Sequence, residues 1–275
     1  VLGPAGSRVT PDVLVSEVYT PGLKGSLQPD LLGAIRRRGL LAYELPPTLE
    51  ALSAELAAGH PILVLQNLGP VSRPVWHYAV VIGADASTET ITLRSGREAR
   101  LQMPTRKFMR SWDKADRWAV VVLRPDEAPV DPRRERLHHA VLGLEAAGRP
   151  AEASQAWSAV LNIWPDDSVA LFGLGNARYA LGDREGARAA WERYVKQNPG
   201  DPSGSNNLAV VLADLGCRTL ALDLARQTLS TLAPGDDAYP QVLDTVSTLE
   251  SLPTGRDPDH CLAVGTAHPG QSGRP

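Results

Sequence analysis

One histidine stands where a general base would have to stand. His77 opens the apolar run Val75-Trp76-His77-Tyr78-Ala79-Val80-Val81-Ile82-Gly83, directly after a loop, Gly69 to Pro74, that carries Pro and Gly. A residue at the end of a buried strand is held rigidly yet stays open to solvent, and imidazole is the side chain best suited to proton transfer near neutrality. A base also needs a group to orient it. Counting register from a hairpin centred near Ser87 puts Gly96 to Glu98 across from His77, which makes Glu98 a candidate. Asp85 is eight residues along the same strand, about 26 Å away at a rise of 3.3 Å per residue, and is too far to serve. Gln66 and Asn67 end the preceding apolar run and read as bonding backbone or lining a cleft; Trp76 reads as a pocket wall. On residue type alone, a His satisfied within the sheet is the simpler account of His77.

Other groups capable of chemistry are few. Cys217 and Cys261 do not make a disulfide framework, have no Cys-x-x-Cys spacing, and their separation neither proves nor excludes a bridge. His260, Cys261 and His268 lie together in a Gly-, Pro-, Asp- and Ser-rich end, where a chance cluster is the expected reading. No metal or cofactor is expected. The net charge of −3 lacks the basic excess of a nucleic-acid binder. The densest basic run, Arg36-Arg37-Arg38, reads as a solvated helix end. No apolar run is long enough to span a membrane.

The elements that position these residues change character along the chain. Thr10 and Pro11 open a helix to Tyr19; further helices are expected over Leu27–Arg38 and Thr48–Ala58, ended by Gly39 and Gly59. Apolar or alternating runs at 40–45, 61–65, 77–83, 90–93 and 118–123 read as strands. Helices followed by antiparallel strands define an α+β domain over 1–125. A Pro-containing linker, 126–133, leads to the second half.

That second half is periodic. Gly148, Gly182 and Gly216 are 34 apart (182−148 and 216−182), as are Ala153, Ala187 and Ala221, Trp157 and Trp191, and Pro165 and Pro199. Thirty-four residues is the tetratricopeptide (TPR) period. The glycines fall at the turns, where positive φ is needed. The alanines allow close helix packing, and the tryptophans are expected to fill the space against the next hairpin. Three repeats, 134–167, 168–201 and 202–235, with a capping helix up to 252, form an all-α solenoid; 253–275 reads as a disordered tail. Such an array leaves a concave face for a protein partner, for which Asn176, Arg178, Asn206 and Asn207 are candidates.

The strand motifs carry a second resemblance. Leu65-Gln66-Asn67-Leu68-Gly69, then Trp76 to Gly83, then Leu93-Arg94-Ser95-Gly96 resemble the bacteriocin-processing (double-glycine leader) cysteine peptidases, especially a bacterial branch joined to TPR repeats. The similarity covers residues 1–124. It implies a papain-like domain and a thiol peptidase acting on peptides. In the family, a Cys opening a helix is the nucleophile, a Gln just before it helps form the oxyanion hole, and an Asp on the next strand orients the His. Only the His carries over, onto His77. The Asp position falls near Ser95, whose hydroxyl can accept an Nδ1–H bond but cannot stabilise an imidazolium as a carboxylate would. The Cys and Gln positions fall before Val1. Val1 is not Met and the chain opens mid-pattern, so the domain is expected to be truncated at its amino end. The resemblance thus implies a cysteine peptidase in the full-length protein, placed in the bacterial envelope or, alternatively, the cytoplasm. The rival expectation is a non-catalytic peptide-binding adaptor.

Overall fold

The computed structural model describes residues 1–252, 257, 258 and 261. The chain divides into two compact units, the first over Val1–Pro165 and the second from Asp166 onward. The first unit holds α1 (Pro11–Val18), α2 (Gln28–Arg36), β1 (Leu41–Glu44), α3 (Leu49–Ala57), β2 (Ile62–Asn67), β3 (Trp76–Asp85), β4 (Thr90–Ser95), β5 (Glu98–Pro104), α4 (Thr105–Asp113), β6 (Ala119–Leu123), α5 (Arg134–Ala146) and α6 (Pro150–Ile163). The second holds α7 (Ser168–Ala180), α8 (Arg184–Gln197), α9 (Pro202–Asp214), α10 (Arg218–Ser230) and α11 (Tyr239–Ser251). The first hairpin of the periodic region, α5–α6, therefore falls in the same compact unit as the sheet.

The six strands form one antiparallel sheet in the order β1-β6-β2-β3-β4-β5. Side chains alternate between its faces. One face carries Ala42, Val120 and Val122, which pack with Leu2, Ala5, Leu32 and Ile35 from the amino-terminal segment and α2. The other carries Ile62, Val64, Ala79 and Val81, all buried, on the side where α4 packs against β2. α4 puts Phe108 and Trp112 into that core with their rings stacked. Burying an apolar side chain of this size contributes about 1.5–3 kcal/mol each.

The 126–133 segment is anchored at both ends. Glu55, buried in α3, accepts from Val130 N at 2.7 Å and bonds His60 Nδ1 at 2.6 Å. Tyr43 Oη accepts from Arg133 N at 3.0 Å.

Only Arg37 of the basic run is a solvated side chain at the helix end. Arg36 lays its guanidinium on Gly143 of α5, where a Cβ would collide with Nε, and its Nε and Nη2 are buried without a hydrogen-bond partner. Arg38 bonds Ala34 O and both carboxylate oxygens of Glu17.

In the second unit each hairpin turns at a glycine with positive φ, +82° at Gly182 and +83° at Gly216. Asp167, Asp183 and Asp201 cap α7, α8 and α9. Trp191 lies on Gly175 of its own hairpin, where an added Cβ would stand 2.3 Å from Nε1, and also packs with Leu208 and Leu212. In the first unit Trp157 sits in its own hairpin too, donating from Nε1 to Glu145 at 2.6 Å.

Cys217 and Cys261 form a disulfide inside the core of the second unit. The expectation of a wholly disordered tail therefore fails at Cys261, which is buried. Cys217 stands at the N-cap of α10 and offers no side-chain cap. Asp257 supplies one from a distance, accepting from Thr219 N and Leu220 N at 2.9 and 3.1 Å. His260, His268 and the rest of the expected tail lie outside the described residues.

Candidate functional site

β3 presents His77 at its open end. His77 pairs with Gln66 across β2 and so shares the face of Ala79 and Val81, while Trp76 and Tyr78 point to the opposite face. The ring is half-buried. Its Nε2 lies 2.8 Å from Ser95 Oγ. The bond is made at Nε2, not at the Nδ1 expected from the sequence. Nδ1 makes no hydrogen bond among the described residues.

Why Ser95 and not Glu98 meets the ring follows from register. An irregularity between Val81 and Gly83 shifts the β3–β4 pairing, so that Val80 faces Arg94. β4 ends at Ser95 and turns at Gly96, whose φ is +58°. Glu98 then pairs with Ser95 from β5, one strand farther from His77. It is exposed and makes no bond to the ring, so the register count that favoured it is corrected. Asp85 holds the far hairpin, accepting from Ser87 and Thr88, and these bonds pull its carboxyl below the usual range.

Gln66 and Asn67 are 1% and 3% exposed and do not line an open cleft. Gln66 donates to Ser111 Oγ at 2.7 Å, and Ser111 donates to Phe108 O, which ties the end of β2 to α4. Asn67 Oδ1 accepts from Gly69 N and Val75 N, both at 3.0 Å, and so closes the loop that delivers His77. Lys114 Nζ donates to Gly69 O at 2.8 Å from the other side. Gly69 is tightly enclosed, since a Cβ there would stand 2.4 Å from Arg73 O. These bonds fasten the end of β2 and the loop that precedes His77.

Trp76 is 55% exposed and forms one wall of a 710 Å³ cleft together with Leu23, Leu27, Leu65, Tyr78 and Trp118. Tyr78 and Trp118 meet edge to face at 5.9 Å, and burial pushes the Tyr78 hydroxyl up to about 12. The cleft is on the same sheet face as the amino-terminal segment, opposite the His77 ring. A cavity of 740 Å³ lies at the far end of β3 and β4, between α3 and α4; Asp85 lines it, but none of the candidate site residues does.

In the second unit a 380 Å³ groove is lined by α7, α9 and α11, with Trp191 of α8. It gathers Asn176, Asn206 and Asn207, with Asn207 Nδ2 at 3.3 Å from Asn176 Oδ1. Arg178 is not among them. Its guanidinium turns to the hairpin, bonding Gly186 O and facing Asp183, so its assignment to the concave face is corrected. Missed by the sequence reading were Asp244 and Thr245, which reach the groove from α11.

Among the described residues no cluster of His, Cys, Asp and Glu could hold a metal ion, and no helix is long and apolar enough to cross a membrane.

The tetratricopeptide repeat family model matches residues 140–202 and 172–237. The helical region is therefore a TPR array, an architecture that serves protein–protein interaction. No curated protein matches the chain. Among solved structures, the type III secretion translocator chaperone SycD of Yersinia enterocolitica is 18% identical, with 42% of this chain and 82% of that chain covered at a TM-score of 0.40. The TPR domain of Sgt2 from Aspergillus fumigatus is 20% identical, with 47% and 95% covered at 0.38. MamA is 16% identical, with 51% and 74% covered at 0.40. Likenesses of this order assign neither partner nor activity.

Proposed function

We propose that this protein processes peptides: its sheet unit is a papain-like, cysteine-peptidase-like domain with His77 as base, and its repeats hold a protein partner. The observation that carries this reading is the His77–Ser95 pair at the open end of β3. Ser95 fixes the ring through Nε2 and leaves Nδ1 to take a proton from a thiol. The thiolate attacks a peptide carbonyl, the C–N bond breaks, and the imidazolium returns the proton to the leaving amine; water then releases the acyl group. Cys217 and Cys261 are bonded to each other, so neither of them supplies this thiolate. The disulfide also suits an oxidising compartment, such as the bacterial envelope.

Peptide cleavage by the naturally encoded protein, read by mass spectrometry, is the test. His77→Ala should lower the rate by about 10²–10⁴-fold. Ser95→Asp, which gives the ring a carboxylate partner, should raise it. Cleavage that survives His77→Ala refutes the assignment.

A second reading is a non-catalytic peptide binder. Two observations favour it: a hydroxyl stands where a carboxylate is wanted, and the amino-terminal segment packs on the sheet face opposite the ring. It requires peptides to be retained uncut, with equal affinity for the wild type and His77→Ala.

A further inference from the structure

The groove of the repeat unit has a composition that selects its occupant. Asn206 is 2% exposed, and its Oδ1 has no hydrogen-bond partner. A buried acceptor left unpaired is costly, so a ligand that donates to it is favoured. Beside it, Asn207 and Asn176 are joined by a 3.3 Å contact, long enough to be exchanged for bonds to a ligand. Asn side chains offer both a donor and an acceptor, which matches the N–H and C=O that every peptide unit carries.

Charge gives the second criterion. The one carboxylate lining the groove is Asp244, exposed on α11 and without an ion-pair partner among the described residues. No Lys, Arg or His lines the groove. The cation on Tyr179, Arg184, is already engaged: it stacks on that ring at 4.1 Å and pairs with Asp214 at 2.7 Å. A free chain-terminal carboxylate would find no counter-charge here and would meet Asp244.

Resting on the reading that the repeats hold a protein, we propose that this groove takes an internal, extended segment of the partner. Asn206 and Asn207 read its main-chain amides, and Asp244 seats a lysine or arginine side chain.

The test uses fluorescein-labelled short peptides of Ala, Ser and Gly, acetylated and amidated, with a central Lys, Ala or Glu, titrated into the full chain by polarisation. The Lys peptide should bind about tenfold tighter than the Glu peptide, and a free C-terminal carboxylate should add nothing. Asp244→Lys, a change at an exposed position, should invert that preference. Asn206→Ala should weaken all capped peptides by about tenfold, with the helical circular dichroism and melting temperature checked in parallel. Binding with no charge preference, or unchanged by both variants, overturns this inference while leaving repeat-mediated protein binding intact. Preference for a free terminal carboxylate also overturns it. Failure of the full chain to capture any partner protein counts instead against the underlying reading.

Discussion

Breaking the Cys217–Cys261 bond should cost the second unit about a third or more of its margin of stability. The two residues are 44 apart in sequence, and loop-closure entropy for a crosslink of that span is worth about 4 kcal/mol at 25 °C. Small domains have only about 5–15 kcal/mol in total. The bond also holds Asp257 near the start of α10, where it supplies the cap that Cys217 cannot; losing a cap adds about 1 kcal/mol. The perturbation has two forms, reduction of the wild type and a Cys217→Ala/Cys261→Ala double variant, which together separate the crosslink from the packing of sulfur. Urea denaturation followed by circular dichroism gives the free energy, and amide hydrogen exchange locates it. Protection of α10 and α11 should fall most, while the sheet strands β2 and β6 keep theirs. A change below about 1 kcal/mol in both forms, or exchange that rises equally in the sheet, would refute the crosslink as the device that closes this end of the repeats.

Three further outcomes follow from contacts described above. Gly175→Ala drives a methyl group into the rigid indole of Trp191 and should cost about 1–3 kcal/mol, seen as a lower urea midpoint. Tyr194 donates to Asp201 at 2.6 Å, and burial together with that carboxylate pushes its hydroxyl up to about 12; Tyr194→Phe should lose about 1 kcal/mol and reduce by one the six tyrosines that titrate in the ultraviolet pH profile, at its high-pH end. Glu17 is held at about 2, chiefly by its hydrogen bond from Arg38. Its folded pKa is depressed, so the pair stabilises α1 and α2 above the ordinary carboxylate range and is lost as pH falls through about 2. The pair is partly exposed and worth about 1 kcal/mol at most; Arg38→Gln should move the onset of acid unfolding of α1 to higher pH, followed by hydrogen exchange.

The repeats were legible because their constraints are local and recur. A turn that needs positive φ takes Gly at 148, 182 and 216, and the 34-residue interval shows through whatever the helices carry between. Five of the six strands were legible from apolar runs. β5 was not: as an edge strand it reads Glu-Ala-Arg-Leu-Gln-Met-Pro, with most side chains exposed. α4 was missed although Phe108, Ser111 and Trp112 fall on one buried face, because charged residues crowd the rest of it. At the candidate site, sequence could nominate His77 and Ser95 but not their joining atoms. That depends on the rotamer of the ring and on a β3–β4 register that shifts between Val81 and Gly83. The disulfide was illegible for a related reason, since nothing local brings Cys261 to Cys217. Arg178 was misplaced by spacing alone, which fixes a helix face only to within one residue's rotation.

The anchoring of the 126–133 segment bears on how the molecule can be cut into pieces. Glu55 grips Val130, Tyr43 receives Arg133, and Arg36 rests on Gly143. Removing the chain from residue 126 onward would take Val130 from Glu55, Arg133 from Tyr43 and Gly143 from Arg36, and would strip α5 from β1. A protease probing the native protein should accordingly pass over this stretch, despite its two prolines and its look of a hinge. A fragment meant to stand on its own has to keep α5 and α6 with the sheet.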